Sequence, residues 1–154
     1  MPKQQICTFF LNGIYFGIDT QQVQEVIRLS VITRVPLAPP DICGLLNLRG
    51  QIITVIDLQQ RLDMGKSAMR SPTKLVTKLV DEQQGFNIVV RSNNEVVSLL
   101  VDDVGDVLEF TQSTFEPTPV TLKGRMRQML KGAYPLKERF LLVLDTEKIL
   151  DVNF

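Results

Sequence analysis

The chain has 154 residues, 44% hydrophobic and 22% charged, with 17 basic and 17 acidic side chains. That is a globular composition, and zero net charge argues against bulk binding to polyanions. It contains no histidine, which excludes His-based triads and His-ligated zinc or haem and removes the commonest general base.

In chain order the sequence reads as short strands separated by turns. Ile6–Leu11 and Ile14–Ile18 flank Asn12-Gly13, a pair suited to the positive φ angles of a tight hairpin turn. Ile6–Leu11 is too short for a signal-peptide core. No run approaches the roughly 18 apolar residues of a membrane span, so the chain reads as cytoplasmic. Asp19–Val26 has polar spacing that fits either one helical turn or an irregular strand. Pro36, Pro39 and Pro40 mark a loop. Strands are expected over Ile42–Arg49 and Ile52–Ile56, joined at Gly50. The β-branched run Ile-Ile-Thr-Val-Ile suits a strand buried on both faces. Asp57 fits the N-cap of a short helix ending at Leu62.

Gly65–Pro72 is the expected linker. Strands follow over Lys74–Val80, Phe86–Arg91, Glu95–Val101 and Val104–Phe110, with Asn93-Asn94 as a hairpin tip. Thr111–Leu122 reads as a loop, Lys123–Leu130 as a short helix and Phe140–Leu144 as a buried strand. Cys7 and Cys43 sit among apolar neighbours and are expected to be buried free thiols, although spacing alone leaves a disulfide open.

An internal repeat organises these elements. Ile42–Leu62 aligns without gaps on Leu130–Leu150 at an offset of 88. The alignment matches Gly44 to Gly132, Arg49 to Lys137 and Asp57 to Asp145. Upstream, Val23-Gln-Glu-Val26 echoes Val104-Gly-Asp-Val107, each preceded by Ile18-Asp19 or Val101-Asp102. Two matches in the same order point to duplication and to two similar β lobes, each about half of the chain.

Catalytic and cofactor motifs are missing. No Gly-x-Gly-x-x-Gly follows a strand, Gln51 stands where a P-loop needs lysine, and no Gly-x-Ser-x-Gly elbow occurs. Asp57 and Asp145 recur at matching repeat positions, which suits capping better than acid–base catalysis. The chain is expected to be no enzyme and to hold no metal or cofactor. Charge is segregated: Glu95–Glu116 carries six acidic residues and no basic one, whereas Lys123–Arg139 carries six basic residues and one acid. That segregation suits either docking faces for different partners or ordinary solvated surfaces. With Tyr134 and Phe140 nearby, the basic stretch leaves a second reading open, a small barrel stacking single-stranded nucleic acid. Core packing explains the two aromatics more simply.

One set of motifs is more specific. Phe16-Gly-Ile-Asp19, Val23-Gln-Glu-Val26-Ile-Arg28, Pro36, Ile42-x-Gly44-x-x-Asn47-Leu-Arg-Gly50 and Ile53-x-Val55-Ile-Asp57-Leu58 together resemble the CheW family of chemotaxis coupling proteins. The resemblance covers roughly Phe9–Leu62 and continues more weakly through Leu99–Val107 and Phe140–Leu150. Cys43 departs from it, standing where the family pattern suggests a polar residue.

The resemblance implies a mainly β fold: two small five-stranded SH3-like β-barrels packed side by side, with short helices. One domain over 1–154 would divide into lobes 12–70 and 74–154, the second completed by an N-terminal strand over 4–11. It also implies a non-enzymatic adaptor joining the regulatory domain of the histidine kinase CheA to the cytoplasmic tip of a chemoreceptor. Membrane contact would be indirect, through receptors. The chain would be monomeric alone and arrayed with its partners, with no nucleic acid bound. An adaptor of another chemosensory pathway, such as twitching motility, is the alternative. By the same match Val23, Glu25 and Val26 look like a docking strip of two apolar contacts and one specificity charge. Gly44 would permit close approach, and Arg49 would grip carboxylates or carbonyls across an interface.

Overall fold

A computed structural model of the chain describes residues 2–28, 30–64, 80–83 and 85–151. The first strands are β1 (Lys3–Leu11), β2 (Ile14–Asp19), β3 (Val23–Ile27) and β4 (Ser30–Thr33). Then come β5 (Ile42–Leu48), β6 (Gln51–Asp57) and helix α1 (Leu58–Arg61). The rest is β7 (Val80–Gln83), β8 (Phe86–Ser92), β9 (Glu95–Val101), β10 (Asp103–Thr111), α2 (Gly124–Gln128), β11 (Leu130–Pro135), β12 (Phe140–Leu144) and α3 (Thr146–Leu150).

The local expectations are met where turn chemistry dictates them. Asn12-Gly13, Arg49-Gly50 and Asn93-Asn94 all have positive φ at both residues and close the β1–β2, β5–β6 and β8–β9 hairpins. Thr20–Gln22 forms a single helical turn capped by Asp19, after which β3 is extended, so both readings of that stretch are realised. Asp57 and Asp145 cap α1 and α3 through side-chain bonds from Gln60 N and from Glu147 N and Lys148 N. The expected linker Gly65–Pro72 lies outside the described residues. Of the strand expected over Lys74–Val80, only Val80 is described, as the first residue of β7.

The strands form two mixed sheets. One has five strands in the order β10-β1-β2-β12-β11. The other has seven, β3-β8-β9-β6-β5-β4-β7, the four-residue β4 and β7 lengthening its edge. Ile6, Tyr15, Tyr134, Leu141 and Val143 pack on the inner side of the first sheet. Ile32, Cys43, Leu46, Ile53, Val55, Val89 and Leu100 pack inside the second. A larger core, including Phe9, Phe16, Leu58, Ile88, Leu99 and Leu142, joins the two lobes. Cys43 is thus an interior group of the seven-stranded lobe, which explains an apolar thiol at that position; Cys7 is also buried, and the two form no disulfide.

Sheet membership cuts the chain differently from lobes 12–70 and 74–154 plus 4–11. β2 stays beside β1 because their tight hairpin allows nothing else, and it pairs parallel with β12. It therefore joins the lobe of the chain termini. The hairpin β8–β9 goes the other way, with β8 on β3 and β9 parallel to β6.

The duplication is visible in geometry. β5 and β11 each carry a bulge, between Ile42 and Gly44 and between Leu130 and Gly132. A Cβ at either glycine would run into backbone, the Thr33 carbonyl oxygen at Gly44 and the Glu116 carbonyl oxygen at Gly132. Ile52 is one departure from the expected doubly buried strand: Val55 and Ile56 are enclosed, but Ile52 is 60% exposed. It pairs with Asn47 near the mouth of the β5–β6 hairpin.

Candidate functional site

The strip begins with β3, an edge strand of the seven-stranded sheet. Its pairing with β8 slips between Val23 and Glu25. A one-residue slip flips the faces. Val23 opposes Val90 and Val26 opposes Ile88, so both valines lie on the face of β3 that adjoins these two core residues of β8. Glu25 opposes Val89, which belongs to the interior of its own lobe. Val23 packs against the inter-lobe core, whereas Val26 remains 42% exposed. The bulge thus places the acid and the two apolar residues on opposite faces of one short strand.

Arg49 sits at the tip of the β5–β6 hairpin at φ 51°. Asn47 Oδ1 accepts from Gly50 N and fixes the turn. From there Arg49 reaches across 24 residues of sequence to Glu25, donating from both terminal nitrogens to the two carboxylate oxygens. The structure therefore joins two of the five expected site residues in a fork-to-fork ion pair at the surface. Hydrogen bonds from Arg49, opposed by partial desolvation and aided by its charge, hold the Glu25 carboxyl below its ordinary 4.5. A carboxyl lowered on folding stabilises the fold above its ordinary pKa and loses that contribution as pH falls through the folded value. The pair is accordingly intact at neutral pH and opens only in acid.

Gly44 is buried on β5, and its nearest neighbours are Thr33 and Ile32 of the same lobe. It contributes by letting β4 lie close. Ile52, hidden in a run that reads as core, and Val107, the echo counterpart of Val26 on β10, are further exposed apolar residues, at 60% and 58%. The upstream echo was the signal for Val107.

The basic stretch is partly spent within the fold. Arg127 donates to the carbonyls of Thr118, Pro119 and Leu122. Arg139 lies 4.3 Å from the Tyr15 ring centroid and 5.4 Å from that of Phe10. Tyr134 is buried as expected, but Phe140, the first residue of β12, is 44% exposed. Among the described residues no group of three or more Cys, Asp or Glu is arranged to hold a metal. Nor is any helix there long and apolar enough to cross a membrane.

The CheW-like domain family model matches residues 5–154. The chain is 32% identical over 147 residues to the chemotaxis protein CheW of Klebsiella aerogenes, covering 96% of this chain and 81% of that one. It is 29% identical over 152 residues to CheW of Thermotoga maritima, covering 98% and 90%. The crystal structure of the scaffolding protein TtCheW of Thermoanaerobacter tengcongensis superposes with a TM-score of 0.80 at 29% identity, over 99% of this chain and 95% of that one. The chain belongs to the CheW-like domain family, and its fold is the paired SH3-like barrels of that family.

Proposed function

We propose that this chemotaxis scaffold couples the regulatory domain of the kinase CheA to the cytoplasmic tip of a chemoreceptor. The observation that carries the reading is the edge-strand site itself. An exposed apolar residue, Val26, follows directly on the Glu25 of a surface Arg–Glu fork, the two on opposite faces of one edge strand, in a chain that matches the family over nearly its whole length. A helical tip needs an apolar strip for contact and a fixed charge for register. Val26 supplies the first, while Val23 anchors β3 to the inter-lobe core and Gly44 lets β4 lie close to β5. Arg49 and Glu25 supply the second. The two lobes act as one unit, monomeric alone and drawn to receptor arrays at the membrane through its partners. Nucleic-acid stacking is the weaker reading, since Arg127 and Arg139 are already engaged and Tyr134 is buried.

The test is a calorimetric titration of the chain with the kinase regulatory domain and, separately, with a receptor-tip fragment. Saturable one-to-one binding is expected for each, and silence for both at about 50 μM would defeat the proposal. Arg49→Ala should weaken at least one partner roughly tenfold while thermal stability hardly moves, because exposed pairs contribute little to folding. Val26→Glu should abolish receptor-tip binding in a folded protein. Val23→Glu should instead lower the melting temperature, since Val23 packs against the core.

A further inference from the structure

The strand pairs divide evenly about the middle of the chain. Of ten described pairs, five join residues 3–57 to residues 80–144: β1–β10, β2–β12, β3–β8, β4–β7 and β6–β9. The other five lie within one half. Among the described strands, the first half without the second keeps the β1–β2 hairpin and the β4–β5–β6 meander, and β3 has no partner. Without the first, the second keeps two hairpins, and β7 and β10 have none. Isolated hairpins are marginal in water. The inter-lobe core is shared the same way, with Phe9, Phe16 and Leu58 from one half and Ile88, Leu99 and Leu142 from the other. Each lobe is thus completed by a hairpin that the opposite half donates.

We propose that two copies of this chain exchange halves, the first half of each completed by the second half of the other. Every pairing and every core contact between halves is the same in the exchanged dimer as in the monomer, so no new surface is needed. Only the covalent connection between Met64 and Val80 chooses between them. A tethered segment meets its partner at an effective concentration of roughly millimolar. Exchange therefore competes when the chain folds at about 1 mM and is negligible at about 10 μM. Glu25 and Arg49 both belong to the first half, so their pair survives the exchange and the dimer displays it twice. On the functional reading above, such a dimer would be bivalent.

The test is full-length chain carrying Lys3→Cys with Thr111→Cys, residues opposed across β1 and β10. The chain is refolded from denaturant at about 1 mM and about 10 μM, separated by size and then oxidised. Gln5→Cys with Glu109→Cys, opposed in the same ladder, serves if the first variant folds poorly. Arg91→Cys with Val96→Cys, opposed within the β8–β9 hairpin, is the control that must close within one chain in every species. The expected result is a dimer fraction appearing at the higher concentration. Its cross-half disulfide should link two chains on a non-reducing gel, while the monomer's stays internal. A dimer whose cross-half disulfides are all internal would mean surface association and overturn the proposal. Monomer alone at both concentrations would overturn it as well.

Discussion

Arg61→Ala is expected to lower stability by about 3–5 kcal/mol, the cost of leaving one partner of a buried ion pair alone. For a chain of this size that is a fall of roughly 6–20 °C in melting temperature. Arg61 closes α1, and its side chain is only 10% exposed. It donates to Asp41 Oδ2 at 2.7 Å, tying the helix to the end of the proline loop. Its Nε donates to the Ile149 carbonyl in α3 at 3.0 Å, tying the same helix to the other half of the chain. Removing the guanidinium leaves the Asp41 carboxylate, itself 15% exposed, without its charge partner. It also leaves an interior carbonyl without its donor. Arg61→Lys should recover only part of the loss, because one ammonium cannot serve two acceptors set by a planar fork. Asp41→Ala with Arg61→Ala should cost less than the sum of the singles, as coupled neighbours do. A loss below about 1 kcal/mol in chemical denaturation would show that the pair behaves like an exposed one.

How far the fold could be read from sequence follows the range of the interactions. Asn12-Gly13 announces a hairpin because the turn's φ angles are a local property, and Asp57 and Asp145 announce helix starts for the same reason. The destination of each hairpin is not local. Nothing in Ile14–Asp19 records that β2 will lie parallel to β12, more than 120 residues later in the chain, so the sheet it joins is not a local property. Ser30–Thr33 escaped notice because four residues carry too little pattern to separate a strand from a loop. Ile52 was misjudged because β-branching reports fitness for a pleated surface, not which face is covered. The site shows the same division. Its residue types were legible through the Asn-Leu-Arg-Gly resemblance and the internal echo. The pairing of Arg49 with Glu25 was not, since it depends on how β3 and the β5–β6 turn meet around the barrel.

The repeat makes a second large effect predictable twice. Gly44→Ala and Gly132→Ala should each destabilise the chain by about 2–6 kcal/mol, combining backbone strain with overpacking. Gly44 has φ 151° and Gly132 φ 159°. At each, an added methyl would press into a carbonyl oxygen of the neighbouring segment and into a buried side chain, Ile32 in one lobe and Phe115 in the other. A carbonyl cannot rotate away without breaking the ladder that holds it: Thr33 is paired with Leu45, and Glu116 with Ala133. Gly50 separates the two contributions. It also has positive φ, at 87°, but nothing lies within 4 Å of its would-be Cβ. Gly50→Ala should therefore cost only the strain of a left-handed residue, about 1–2 kcal/mol. If Gly44→Ala proves no worse than Gly50→Ala, close approach of β4 is not what the glycine provides, and a direct role at the partner surface becomes the better account. If Gly44→Ala and Gly132→Ala match each other and exceed Gly50→Ala, the two glycines do the same work in both lobes. Loss of partner binding in Gly44→Ala would then trace to a displaced β4, and it should shrink when affinity is corrected for the folded fraction.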